Sequence, residues 1–322
     1  MARRLTHKQQ RRIKQNQQQQ LEQYDDVNTE TPNLPARVIT NFGKTIIAEL
    51  ENRELIRCSP RQNLQQIVCG DNVLIQKLDN KDAVVTAVLE RESLLKKPGF
   101  GGKLKPMAAN IDQVVIVMSV SPPPNTYLID RYLVATENLN ASGLIILNKT
   151  DLADENTDLK ALLNEYRELG YNVLPTSIKD KNSIKALDLA LNERTSIMVG
   201  LSGVGKSSLI NTLLPEQNIR VGEVSAASGE GTHTTTSSIL YHLPNGGEII
   251  DSPGVRDFGL WNNSAEDVLY GFKEIRDLAG QCKFSDCKHD VEPGCVINKA
   301  VDDGLIKQQR FQNYKKIIHE YT

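Results

Sequence analysis

The chain lacks any apolar run long enough to cross a bilayer. Its longest apolar stretches, "VVIVMSV" (114 to 120) and "GLIIL" (143 to 147), fall far short of the roughly 18 to 20 residues a spanning helix needs. They read as strands in a globular core, and no membrane partner is expected. Aromatic residues make up only 5% of the 322 positions, with a single Trp, which argues against an aromatic-rich structural protein. Net charge is nearly absent at -2, from 38 basic and 40 acidic residues. A chain so balanced exerts no global pull on polyanions, so any nucleic-acid contact must come from local patches. The basic N-terminus runs straight into glutamines, without an apolar core or a small-residue cleavage site. It is therefore no secretory signal, and a cytoplasmic protein is expected. Cysteine is scarce: of five, Cys58 and Cys69 stand apart as candidate small buried hydrophobes, while Cys282, Cys287 and Cys295 crowd together with His289.

What is present divides the chain. Its length suggests two or three domains. Residues 1–34 hold Arg3, Arg4, Lys8, Arg11, Arg12 and Lys14 ahead of the first acid, Glu22, and read as a disordered basic tail, either merely solvated or gripping phosphate. Residues 35–105 are rich in short β-type stretches separated by "NFGK", "CGDN" and "LDNKD", a pattern that suits an OB-type barrel. The bland rival is a packing module without a ligand. "KKPGFGGKLKP" (96 to 106) reads as a flexible basic linker. Residues 106–261 alternate strand and helix patterns, "IDQVVIVMSV", "TYLIDRYLVATENLNAS", "GLIILNKTDL", which predicts a parallel α/β sheet covered by helices. Residues 262–322 carry the cysteine cluster between an N-capped helix starting after Ser264 and a basic amphipathic helix, "LIKQQRFQNYKKIIHEY".

"GLSGVGKSS" (200 to 208) fits G-x-x-x-x-G-K-[ST] between a strand and a helix. Gly200, Leu201, Ser202, Gly203, Val204, Gly205 and Ser208 would wrap their backbone around phosphates; Lys206 adds a point charge and Ser207 a magnesium ligand. "IDSPG" (250 to 254) follows at the spacing of a second magnesium shell, with Asp251 as ligand through water and the Gly254 N–H directed at a γ-phosphate. Between them "ASGEGTHTTTSS" (227 to 238) offers Thr234 or Thr235 to magnesium, and His233 either as the group that orients water or as an ordinary exposed histidine. "NKTD" supplies Asn148, Lys149, Thr150 and Asp151. The Asp151 carboxylate can accept both N–H donors on one edge of guanine, while Lys149 packs its stem along the base. "PTSIK" places a backbone N–H near Ser177 within reach of the guanine carbonyl. Cys282-x4-Cys287-x-His289-x5-Cys295 provides four donors for a closed, structural zinc, and Lys283, Lys288, Lys307, Arg310, Lys315 and Lys316 suggest contact with RNA phosphate.

The order is unusual: base reader, supporting loop, phosphate cradle, then two switches. Joining the natural ends and cutting elsewhere preserves the site, so the motifs are circularly permuted. This ordered set, with "NIDQVVIVMS", "LNKTDL", "GLSGVGKSSLIN" and "DSPGVRDFGLW", resembles the bacterial small-ribosomal-subunit assembly GTPases of the RsgA/YjeQ type. The resemblance spans nearly the whole chain. It implies a multi-domain protein with an N-terminal OB-type barrel, a circularly permuted α/β P-loop GTPase domain and a C-terminal helical zinc-binding domain. It implies Mg2+ with GTP, one structural Zn2+, and binding to the 30S subunit and its 16S rRNA, with release on hydrolysis. Val255 stands where small GTPases carry a water-orienting glutamine; the resembling family also lacks it and relies on a switch histidine, which maps to His233. Slow turnover, raised by the 30S subunit, is the corresponding expectation. A monomer is expected. An RNA-binding assembly chaperone using GTP mainly as an affinity switch remains the alternative, and a small-molecule kinase, which needs no guanine reader, is the weaker rival.

Overall fold

The computed structural model describes residues 32–62, 64–78, 82–98, 104–153, 157–214, 237–252 and 264–320. Strands β1 (Leu34–Asn41), β2 (Ile46–Leu50), β3 (Leu55–Pro60), β4 (Asn72–Lys77) and β5 (Ala83–Val88) form a closed barrel. β1, β2 and β3 run antiparallel in sequence order, β3 pairs parallel with β5, and β4 closes the ring between β5 and β1. Alternation turns Val38, Ile46, Ile56, Val73 and Val85 inward to a common core. Cys58 and Cys69, each 2% exposed, are buried, and burial pushes the Cys58 thiol up to about 12. Both act as small hydrophobes.

The stretch expected as a flexible linker instead contributes to an antiparallel ribbon, β6 (Leu94–Pro98) with β7 (Leu104–Ala109). Its two flanks pair with each other, and Leu95, Met107 and Ala108 bury themselves in the central core. The glycines that suggested a linker, Gly99, Gly101 and Gly102, lie outside the described residues.

The central unit runs β8 (Gln113–Ser119), α1 (Thr126–Asn138), β9 (Ser142–Asn148), α2 (Thr157–Glu168), β10 (Asn172–Pro175), α3 (Lys181–Leu191), β11 (Thr195–Val199), α4 (Lys206–Leu213), β12 (Ile239–His242) and β13 (Glu248–Asp251). The strand order is β10-β9-β8-β11-β13-β12, parallel throughout except for β12. Strand β8 is apolar on both sides because both faces are covered: Val114 and Ile116 join one core, Val115 and Val117 the other. β12 also pairs with barrel strand β1, at Thr40↔Ile239, so barrel and central sheet are hydrogen-bonded into one surface.

Helices α5 (Ala265–Gly271), α6 (Lys273–Arg276), α7 (Val296–Asp302) and α8 (Gln308–His319) complete the described fold. A capping box starts α5, with Ser264 and Asp267 exchanging hydrogen bonds. The single helix expected after Ser264 breaks at Phe272, whose backbone is extended (φ -97°, ψ 93°) and whose ring is fully buried. Val134 of α1 belongs to this same C-terminal core. Among the described residues no helix is long and apolar enough to cross a membrane.

Candidate nucleotide site and metal centre

The carboxyl ends of β8, β9, β11 and β13 face one side of the parallel sheet, where α/β proteins bind ligands. Asn148 ends β9 and is 3% exposed. Its Nδ2 donates to the Val204 carbonyl at 2.9 Å, while its buried Oδ1 has no protein partner among the described residues. Lys149 adopts a left-handed conformation (φ 58°). Its ammonium donates to the carbonyls of Ser121 and Gly203, both at 2.7 Å. The loop at 148–151 and the glycine-rich loop at 200–206, some fifty residues apart, therefore interlock directly. Thr150 donates through its amide and its hydroxyl to the Thr176 carbonyl, at 3.2 Å each.

Asp151 accepts from Ser177 Oγ at 2.7 Å and pairs with Lys179 at 2.7 Å. The Lys179 hydrogen bond, then that of Ser177, holds its carboxyl below the ordinary aspartate value, keeping it an acceptor. The Ser177 amide does not point to an open site: it donates to Ser183 Oγ at 3.0 Å, and Ser177 Oγ accepts from the Lys179 amide at 3.1 Å. Sequence reading missed Ser183, Lys179 and the Ser121 carbonyl. Lys179 had a signal, closing "TSIK"; the other two act through single contacts that no pattern announces.

Two glycines of the phosphate loop are sterically obligatory. A Cβ on Gly200 (φ 139°) would stand 2.2 Å from the Val117 carbonyl oxygen, and one on Gly205 (φ 96°) 2.3 Å from Asn148 Nδ2. Gly205 caps α4, so the first amides of that helix open toward the loop. Lys206 donates to the carbonyls of Gly200 and Leu201, at 2.8 and 2.7 Å, curling over the cradle. Leu201, Ser202, Gly203, Ser207 and Ser208 are exposed around it, whereas Val204 is buried. Asp251 ends β13, beside β11. By surface it is exposed, yet protein crowding pushes its carboxyl up from the ordinary value, and the Lys206 charge pulls against that shift. Gly254, His233, Thr234, Thr235 and the basic tail before residue 32 lie outside the described residues.

Cys282, Cys287, His289 and Cys295 converge with all four donor atoms within 4.8 Å of one another. Cys282 Sγ and Cys295 Sγ lie 3.9 Å apart and are not bonded, and each stands 3.6 Å from His289 Nδ1. His289 is 8% exposed and takes a positive φ of 61° to aim Nδ1 inward. The donor set fits a metal ion with no side left open.

Arg310 corrects the expected basic face. It is buried, donating to Asp130 at 2.5 Å and to Glu274 at 2.7 Å, with the Phe272 ring beneath its guanidinium at 4.4 Å. A group spent on two carboxylates offers nothing to RNA. Lys315, expected on the same face, pairs with Asp290 at 3.1 Å.

The family model described as RsgA GTPase matches residues 88–261. The Small ribosomal subunit biogenesis GTPase RsgA of Pseudomonas fluorescens (strain SBW25) is 48% identical over 293 residues, covering 89% of this chain and 85% of that protein. The RsgA 1 protein of Vibrio parahaemolyticus is 45% identical over 328 residues, covering 98% and 93%. Among solved structures, YjeQ from Thermotoga maritima superposes with a TM-score of 0.73 at 35% identity, over 90% of this chain and 98% of that one. YloQ, described as a circularly permuted GTPase, gives 0.72 at 29% identity over 90% and 95%. With a permuted P-loop domain between a five-stranded barrel and a helical module that carries a Cys3His cluster, the chain belongs to the RsgA GTPase family and is a GTP-hydrolysing enzyme.

Proposed function

We propose that the chain binds GTP through Asn148–Asp151, Ser177 and Gly200–Ser208, and hydrolyses it to GDP and phosphate during late maturation of the 30S subunit. The observation that carries this reading is the interlock of the two loops: Asn148 on the Val204 carbonyl and Lys149 on the Gly203 carbonyl fasten a guanine reader to a phosphate cradle. The names of the relatives, small ribosomal subunit biogenesis GTPases, support the ribosomal setting. In this reading Asp151 accepts from guanine, the orphaned Asn148 Oδ1 and the Ile178 amide complete the base pocket, and Lys206 turns from the loop carbonyls to phosphate. Ser207 and Asp251, with Thr234 or Thr235, hold Mg2+, which neutralises phosphate charge. His233 orients the attacking water.

Zinc is the metal proposed for the cysteine and histidine cluster. Bonds of about 2.3 Å to sulfur and about 2.0 Å to nitrogen at tetrahedral angles give edges of about 3.8 and about 3.5 Å, beside the 3.9 and 3.6 Å found. We further propose working units at residues 1–34, 35–105, 106–261 and 262–322, acting as a cytoplasmic monomer on 16S rRNA. The test is hydrolysis of GTP, with ATP as control, in the absence and presence of isolated 30S and 50S subunits. Slow GTP-only turnover raised by 30S alone is expected. Tight GTP-dependent RNA binding with no stimulation by either subunit would replace the enzyme cycle with the chaperone reading.

A further inference from the structure

The barrel meets the central sheet through a cluster of charge that the nucleotide chemistry leaves unexplained. His242 ends β12 with its ring between two carboxylates: Nε2 is 2.6 Å from Glu49 Oε2 on barrel strand β2, and Nδ1 is 3.5 Å from Glu248 Oε1 on β13. Only the doubly protonated ring donates to both. Arg37 of β1 reaches across the same junction, donating to Glu248 at 3.1 Å, to Thr195 Oγ1 at 3.3 Å and to Asn72 at 3.0 Å. Thr195 in turn donates to Glu248 at 2.8 Å. Arg53 closes the cluster from the barrel side, 3.2 Å from Glu49. Glu49 is 7% exposed; burial pushes its carboxyl up, and the hydrogen bond and charge of His242, with Arg53, more than offset this and leave it below the ordinary glutamate value.

The place of this cluster gives it a task. It grips the turn end of the β12–β13 hairpin, His242 from one strand and Glu248 from the other, while the open end is Asp251 of β13 and Ile239 of β12, the latter paired to Thr40 of the barrel. The hairpin is held by the barrel at both ends. We infer that Arg37, Glu49 and His242 are positioning residues for GTP hydrolysis, a latch through which the barrel sets where β13 presents Asp251. This rests on the reading of Asp251 as a magnesium-shell residue. Barrel displacement by a ligand then alters turnover without touching nucleotide.

The test compares GTP hydrolysis by the full-length wild type, Glu49→Gln and His242→Gln, with binding of a fluorescent GTP analogue measured alongside. The variants are expected to lower kcat about fivefold at unchanged analogue affinity, the scale of a coupling residue remote from the ligand. The loss is expected in kcat and not in KM for GTP, at a temperature well below the melting point of each variant. An equal loss of kcat and of analogue affinity, or an unchanged kcat accompanied only by a lower melting temperature, overturns the latch. Arg37→Lys, which keeps the charge but not the forked geometry, supplies the same comparison if a neutral variant does not fold. Absence of GTP turnover in the wild type removes the proposed function and the latch together, whereas wild-type turnover with an unchanged kcat in the variants removes the latch alone.

Discussion

In the proposed reading, Asp151 is a carboxylate prepared for a base. Lys179 and Ser177 hold it ionised and aimed, so replacing it removes acceptance rather than folding. Asp151→Asn is expected to weaken GTP binding by about tenfold or more, the loss of a hydrogen bond to a charged group. It should improve binding of xanthosine triphosphate, whose extra carbonyl accepts from the new amide; calorimetric titration of both nucleotides reads this directly. Gly200→Ala acts by sterics alone. Its methyl would meet the Val117 carbonyl at 2.2 Å, in a conformation few side chains adopt, so nucleotide binding is expected to fail while the barrel still folds. Glu49 carries a sign of its own. Because its pKa is lowered on folding, the stability it contributes is full above the ordinary glutamate value of about 4.3 and is lost as pH falls through the lowered one. The melting-temperature gap between wild type and Glu49→Gln should therefore close on acidification below that value.

The elements of the central sheet follow from pattern, and the exceptions are instructive. β8, β9 and β11 were legible as apolar runs because both their faces are buried, and the phosphate loop declared itself through glycines between a strand and a helix. β12 was not read at all. "ILYH" followed by "LPNGGEIID" is a hairpin around an Asn-Gly turn, but its four residues are half apolar and follow a polar stretch, and its pairing to the barrel joins positions 40 and 239, a relation that no local pattern expresses. The break of the C-terminal helix at Phe272 and the burial of Arg310 share one cause. Tertiary burial overrides local periodicity, since a lone arginine on a basic helix face looks solvated until Asp130 and Glu274 are placed beside it. The site was legible where motif residues act through backbone geometry, and hidden where they act through a partner. Arg310→Met tests the hidden part. It leaves Asp130 and Glu274 without their cation, and removing one member of a buried pair costs about 3 to 5 kcal/mol, so denaturant unfolding should shift by that amount.

At the scale of the whole molecule, the C-terminal helices are not an appendage. Their core includes Val134 of α1, and Gly271 of α5 approaches that residue so closely that a methyl would lie 2.6 Å from it. Stripping the metal proposed for the cysteine cluster with a chelator should therefore be felt beyond the cluster. A lowered melting temperature for the full chain, and titration of three newly reactive thiols, are expected, because metal-binding energy is folding energy at such sites. Elemental analysis of the purified protein before and after treatment identifies the ion.

The inverted order of the loops also fixes a calendar for synthesis. Residues emerge from N-terminus to C-terminus, and domains fold as they appear. The barrel and the pair β8–β9, with Asn148 at its tip, are complete before the phosphate loop exists. β11 must then slot against the waiting β8, with its other side free until β13 arrives. In the proposed reading a nascent chain thus carries a base reader long before it carries a cradle, and cannot retain nucleotide until some fifty further residues have left the ribosome. An unpermuted relative grips phosphate first and finishes with the base; here the guanine reader waits for the phosphates, so nucleotide can only clinch a sheet that is already almost whole.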